Sequence, residues 1–217
     1  MISQAGWLDA FNRRRRRQKA ARKAERAFHT ALLDIGPGDI CVDCGANRGD
    51  VTAFMVRTGA QVHAFEPDPY AFSALQGRFG ATPGVTLHAA AVGVSEGTAT
   101  LHRAPGFAAE PGRLSESSSL LARPRSGADG ETLTVPVIDL PGWLDALPVP
   151  PRMLKLDIEG AEVEILESLF AGDLIDRMGH VFVETHETQH PALARRTRAL
   201  LAEVARRGWS HVNLDWA

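Results

Sequence analysis

Two hydrophobic patterns alternate along this chain. Short apolar runs that stop at a polar or small residue give way to segments whose apolar positions return every three to four residues. The runs suit strands buried on both faces, and the periodic segments suit amphipathic helices. Strands are expected at 40–42, in a run ending at Glu66, and at 85–91, 98–103, 132–138, 153–157, 180–184 and 209–214. Helices are expected at 3–33, after Gly49, at 69–79, at 140–147, in the run after Gly160, and at 191–207. Pro69 and Gly80 bracket the helix at 69–79 as start and stop signals. Pro136 points to an edge position for the strand at 132–138. Residues 104–130 are rich in Pro, Gly, Ser and Ala without a period, which reads as a mobile loop of the kind that often covers a site.

Strands and helices in alternation predict an α/β fold, a mainly parallel central sheet with helices on both faces and ligands bound at the carboxyl ends of the strands. The chain divides into a basic helical extension at 1–35 and one domain at 36–217, a size that buries a substantial core. Charge sharpens that division. The 24 basic and 26 acidic side chains nearly cancel overall, yet residues 13–26 carry nine Arg or Lys against one Glu. A basic head thus sits on an acidic body, which argues against a protein that lays its whole surface on nucleic acid. The plain reading of the Arg13 to Arg17 run is a solvated helix face; the sharper one is an arm for an acidic partner, a membrane surface or RNA, and the N-terminal helix as a whole offers a contact for an oligomer.

No apolar run approaches the roughly 18 residues needed to cross a bilayer, and the start lacks the basic-then-apolar order of a secretory signal. A cytoplasmic location is expected. Cys41 and Cys44 then read as free thiols, because positions three apart on a strand face opposite sides and no second pair completes a zinc site.

Residues 41–68 concentrate the chemistry: a strand, a tight turn with Gly45 and Gly49, a helix, and a second strand closing on Glu66. An acid about twenty residues after such a turn falls where it can accept hydrogen bonds from both hydroxyls of a ribose. Which nucleoside is bound follows from the other strand ends. Asp157 and Glu184 close two further strands, so a row of carboxylates lines the crevice. That row repels a pyrophosphate and favours a cation such as the sulfonium of S-adenosylmethionine. The turn D-C-G-A-N-R-G also lacks the G-x-G-x-x-G spacing of dinucleotide sites. Tyr70 has Ala74 four residues on, which removes a Tyr-x-x-x-Lys pair, and neither a phosphate-loop G-K-[ST] nor a G-x-S-x-G elbow occurs.

The motifs VDCGANRGD, HAFEPDP, AAAVG, SESSSL, LKLDIEGAE and FVETH, in this order, make residues 38–210 resemble the FkbM-type S-adenosylmethionine-dependent methyltransferases. The resemblance implies a Rossmann-like class I methyltransferase fold and methylation of a hydroxyl, commonly on sugars or polyketide-like natural products. It implies Asp43, Gly45, Asn47 and Gly49 around the methionine portion, Glu66 at the ribose and Ala91 near the adenine, with Ala46 and Pro67 also among the cofactor-binding residues. Ser118 and Ser119 would help close the site, and Asp157 would border the cofactor. Class I folds usually end in a two-strand hairpin, whereas this chain offers one strand after its last helix, so a seventh strand has no place.

An alcohol is a poor nucleophile near neutral pH, so its proton must be taken by a general base or its oxygen activated by a metal. His186 is the first candidate base, with Asp157 and Glu184 orienting it or the acceptor. The alternative is Mg²⁺ held by Asp157 and Glu184 with His186, carboxylates being its usual ligands. The expected acceptor is a hydroxyl of a small molecule, sugar or glycan, or natural product. The competing readings are an RNA methyltransferase that uses the basic head and a non-catalytic binding protein of the same fold. His63, His88 and His211 sit within strand patterns and read as structural.

Overall fold

A computed structural model describes residues 19–115, 118–121, 131–187 and 190–216. Trp7, Leu8, Phe11 and the Arg13 to Arg17 run of the expected first helix, and part of the expected loop, lie outside the described residues. From residue 19 to 31 the chain is helical, α1. Then follow β1 (Ile40–Cys44), α2 (Asp50–Val56), β2 (Gln61–Phe65), α3 (Pro69–Phe79), β3 (Val85–His88), β4 (Ala91–Gly93), β5 (Gly97–His102) and α4 (Pro111–Leu114). The second half comprises β6 (Thr132–Asp139), α5 (Leu140–Asp145), β7 (Met153–Leu156), α6 (Glu162–Ala171), α7 (Leu174–Arg177), β8 (His180–Glu184), α8 (Ala194–Arg207) and β9 (Val212–Trp216).

Six of these strands form one sheet in the order β3-β2-β1-β7-β8-β9, and every pairing in it is parallel. Strand alternation sends side chains to two cores. Cys41, Val62, Met153 and Phe182 pack with Phe28 and Ala31 of α1 and with Met55 of α2. Val42, Cys44, Leu154, Leu156, Val181 and Val183 pack with Leu140, Leu144, Ile165 and Leu166 of α5 and α6. The two cysteines face opposite cores as free thiols, and burial pushes the Cys41 thiol up to about 12. Phe28 lies edge-on to Phe182 and beside Trp216, which seats α1 in the core of the domain.

Strand order reverses between β1 and β7, so the chain leaves the two neighbouring strand ends in opposite directions and opens a crevice there. The two sides are close. A Cβ on Gly45, where φ is +75°, would lie 1.8 Å from the carbonyl oxygen of Asp157, so only glycine lets the turn after β1 rest on the chain leaving β7.

Four local expectations change. The strand expected at 85–91 breaks after His88, and Ala91 opens β4 in a separate three-stranded sheet, β4-β6-β5. The strand with Pro136 is central in that small sheet, not at its edge, but β4 joins it only from Val137 onward, leaving one side of Pro136 unpaired. The segment expected to be a loop holds α4 and a bridge between His102 and Ser119. At the far end, Gly208 turns left-handed after α8 and Trp209 packs on Phe170, so β9 starts three residues later than expected. It runs parallel to β8, and among the described residues no strand joins the main sheet antiparallel. No helix of the described residues is long and apolar enough to cross a membrane.

Candidate functional site

A cavity of about 380 Å³ opens at the carboxyl end of the sheet, on the reversal point, within the size range of small-molecule sites. Its wall is built from the turn after β1, the ends of β2, β7 and β8, and the small sheet. Gly45, Ala46, Asn47, Glu66, Pro67 and Ala91 line it, as do Ser118, Asp157 and Glu184. The remaining residues named from sequence lie behind this wall. Asp43 is buried beneath the turn, and the open side of Gly49 faces Leu75 and Phe79 of α3. Ser119 is buried with its hydroxyl donating to the Glu159 carbonyl at 2.7 Å. His186 is 2% exposed, behind the acids that border the cavity.

At one end stands Glu66, directly after β2. Its Oε2 accepts from the Asn47 N–H and its Oε1 from the Asp68 N–H, both at 2.8 Å. These bonds tie the acid to the turn after β1 and leave each oxygen a further lone pair for a donor in the cavity. Burial pushes the Glu66 carboxyl up to about 7, against the pull of those two amides. Asn47 itself has φ +48° and accepts from the Ser115 hydroxyl at 3.2 Å. Asp68 caps α3 and receives a two-pronged bond from Arg103, both distances 2.8 Å. Although burial opposes its charge, Arg103 holds the Asp68 carboxyl below the usual range. Arg103 stacks over Phe107 at 4.1 Å, and the Ser118 hydroxyl donates to Asp68 at 3.2 Å. The small sheet and the segment after it are thereby fastened to the β2 end.

The other end is a charge cluster. Lys155 sits opposite Asp43 in the sheet register, donates to the Gly45 carbonyl at 2.8 Å, and lies 3.3 Å from Asp43 and 3.4 Å from Asp157. Burial works against its ammonium, but Asp43 and Asp157 outweigh it and raise its pKa. Asp43 also accepts from Thr52 at 2.6 Å. Glu184 is pushed up to about 7, first by burial and then by the charge of Asp157. His186 presents Nε2 to Asp157 and Glu159 at 3.7 Å and to Glu184 at 3.8 Å. Burial opposes its charge, but the hydrogen bond to Glu162 and the surrounding carboxylates push it up to about 9. The ring therefore holds its proton at neutral pH.

Sequence reasoning missed Lys155, Glu159, Glu162 and the Arg103–Asp68 pair. Lys155 had a local signal, a charge inside the buried run M-L-K-L. Glu159, Glu162 and Asp68 fall inside the motifs LKLDIEGAE and HAFEPDP, but nothing in those motifs names their partners, which come from other elements. Elsewhere, His63 and His88 approach at 3.2 Å, and His88 stacks on Phe65. Burial pulls His88 down to about 4, in keeping with a structural role. Asp157, Glu184 and His186 offer atoms within 4.8 Å of one another, but this set fits Mg²⁺ poorly. One member is an imidazole nitrogen, whereas Mg²⁺ takes oxygen ligands, and the Lys155 ammonium 3.4 Å from Asp157 already supplies positive charge there.

An open α/β sheet reversing at this crevice, with a buried acid after its second strand, is the Rossmann-like class I methyltransferase fold. The family follows from the sequence profile of the Methyltransferase FkbM domain, which matches residues 43–208: the chain belongs to the FkbM methyltransferases. No curated protein matches it. Among solved structures it is similar to a methyltransferase FkbM from Methylobacillus flagellatus KT, at 19% identity over 76% of this chain with a TM-score of 0.46. The match spans only 37% of that protein's length. It is similar also to an rRNA methylase from Streptococcus thermophilus, at 14% identity over 73% of this chain and 67% of that one, TM-score 0.39. A precorrin 8w decarboxylase from Methanobacterium thermoautotrophicum matches at 20% identity over 78% of this chain and 66% of its own, TM-score 0.38. Membership of a methyltransferase family implies S-adenosylmethionine as methyl donor.

Proposed function

We propose that this protein is a cytoplasmic O-methyltransferase that moves the methyl group of S-adenosylmethionine to a hydroxyl of a small molecule, sugar or natural product. The observation that carries the reading is the pairing, in one cavity, of the Glu66 carboxylate with the acids Asp157 and Glu184. Glu66 and Pro67 would hold the ribose, Ala91 would border the adenine, and Gly45, Ala46 and Asn47 would flank the methionine portion. When bound, the donor supplies an electrophilic methyl on a cationic sulfur, and Asp157, Glu159 and Glu184 favour that charge over a pyrophosphate.

The acceptor oxygen must meet the methyl in line, and alignment alone supplies several kcal/mol of the barrier. Its proton needs a base. With His186 protonated, Glu184 at about 7 is the better-matched base and lines the cavity, so the proton passes to Glu184. His186 and Lys155 temper the charge of Asp157 beside it.

Calorimetry with S-adenosylhomocysteine and with a nicotinamide dinucleotide tests the first step, and the expected result is binding of the former alone. Binding of the dinucleotide alone would overturn the proposal. A screen of hydroxyl acceptors against labelled S-adenosylmethionine then tests the transfer, with label on oxygen as the expected product. Label found only in RNA, and lost on deleting residues 1–18, which removes the Arg13 to Arg17 run but leaves Phe28 in the core, would move the acceptor class to nucleic acid.

A further inference from the structure

Glu162 opens α6 and is fully buried among Val163, Ile165 and Leu166, where an apolar residue would serve packing better than an acid. Its carboxylate is committed to two loops. Oε2 accepts from the Gly160 N–H at 2.8 Å, on the chain that leaves β7. Oε1 accepts from the His186 N–H at 3.0 Å and faces His186 Nδ1 at 3.1 Å, on the chain that leaves β8. A carboxylate only accepts, so Nδ1 must carry a hydrogen. That bond fixes the ring's rotation and turns Nε2 toward Asp157, Glu159 and Glu184, all of which line the cavity. Glu162 touches none of the cavity itself.

We propose that Glu162 is a positioning residue for methyl transfer: one buried carboxylate sets the His186 ring and, through it, the acids that receive the acceptor. The inference rests on the methyltransferase reading above. It differs from a purely structural role, in which Glu162 would join the two loops without bearing on the ring or on turnover.

Glu162→Gln keeps the shape and removes the charge, and four measurements on the full chain decide the matter. In ¹H–¹⁵N spectra of the histidine rings, the Nδ1–H signal of His186, assigned by its absence in His186→Gln, should disappear or move. Turnover of the hydroxyl acceptor found in the screen should fall by at least about tenfold, a part of the roughly hundredfold or greater contribution of a positioned acid or base. The dissociation constant of S-adenosylhomocysteine should stay within about twofold, since no cofactor-lining residue changes. The double variant Glu162→Gln/His186→Gln should be no slower than the slower of the two single variants, as for residues that act as a unit. A folded Glu162→Gln protein with the wild-type ring signal, or with wild-type turnover whatever its ring signal, overturns the proposal. If Glu162→Gln does not fold, Glu162→Asp, which keeps the charge but retracts it, must show the same loss of ring signal; an unchanged signal there also overturns it. Failure of S-adenosylhomocysteine to bind the wild-type protein sinks the methyltransferase reading instead, and the ring spectrum still judges the positioning.

Discussion

The two ends of the cavity solve the burial of acids in different ways. At the β2 end the partners of the buried Glu66 carboxyl are two backbone amides, its neighbour Asp68 being paired with Arg103, and burial leaves Glu66 near 7. At the β7 and β8 end, Asp157, Glu159 and Glu184 share the field of Lys155 and His186, two cations held beneath them. Amides orient an acid without cancelling its charge, so the first end is suited to accept from a neutral diol. A cluster balanced by buried cations keeps several acids together, and one of them, Glu184, retains a raised pKa that suits proton transfer.

The sharpest way to break this contrast is Lys155→Met. It leaves Asp43 buried without its cation and the Gly45 carbonyl without its donor, and about 3–5 kcal/mol of stability should be lost, as when one partner of a buried ion pair is removed. Urea unfolding measures this, and a loss below about 1 kcal/mol would show that the cation is not what holds the cluster. Glu184→Gln should then lower turnover by about a hundredfold, with little change in S-adenosylhomocysteine affinity. Unchanged turnover would return the base to another group. Glu66→Ala should do the converse, weakening S-adenosylhomocysteine by about 1.5–3 kcal/mol, the worth of hydrogen bonds to a charged acceptor. Unchanged affinity would remove Glu66 from the ribose.

The smallest effect is on pH. On the proposed reading a ribose diol would donate to the ionised carboxylate, so binding would favour the form of Glu66 present above about 7. Affinity for S-adenosylhomocysteine should therefore be full above neutrality and decline as pH falls through 7, by at most about tenfold per unit. Calorimetry from pH 8 to 6 tests the sign, and Glu66→Gln should flatten the profile.

How much of this was legible beforehand follows the range of the interactions. Glu66, Asp157 and Glu184 were readable because each ends its own apolar run, and parallel strands bring such ends to one edge. The free cysteines on opposite faces were readable from strand alternation. The small sheet was not, since Ala91 looks like the end of the preceding strand until Val137 is there to pair with it. Arg103 was equally silent because its acid, Asp68, lies 35 residues earlier.

The sequence by itself determined the alternation of strand and helix, the acids at the strand ends and the likeness to a methyltransferase family, for these depend on neighbours a few residues away. Only the tertiary structure decided what each acid does. Register put Lys155 opposite Asp43, packing brought Glu162 to His186 across 24 residues, and burial raised Glu66 and Glu184 toward neutrality. A carboxylate's chemistry depends on its solvent exposure and on the charges within a few ångströms, and both are set by contacts between distant segments.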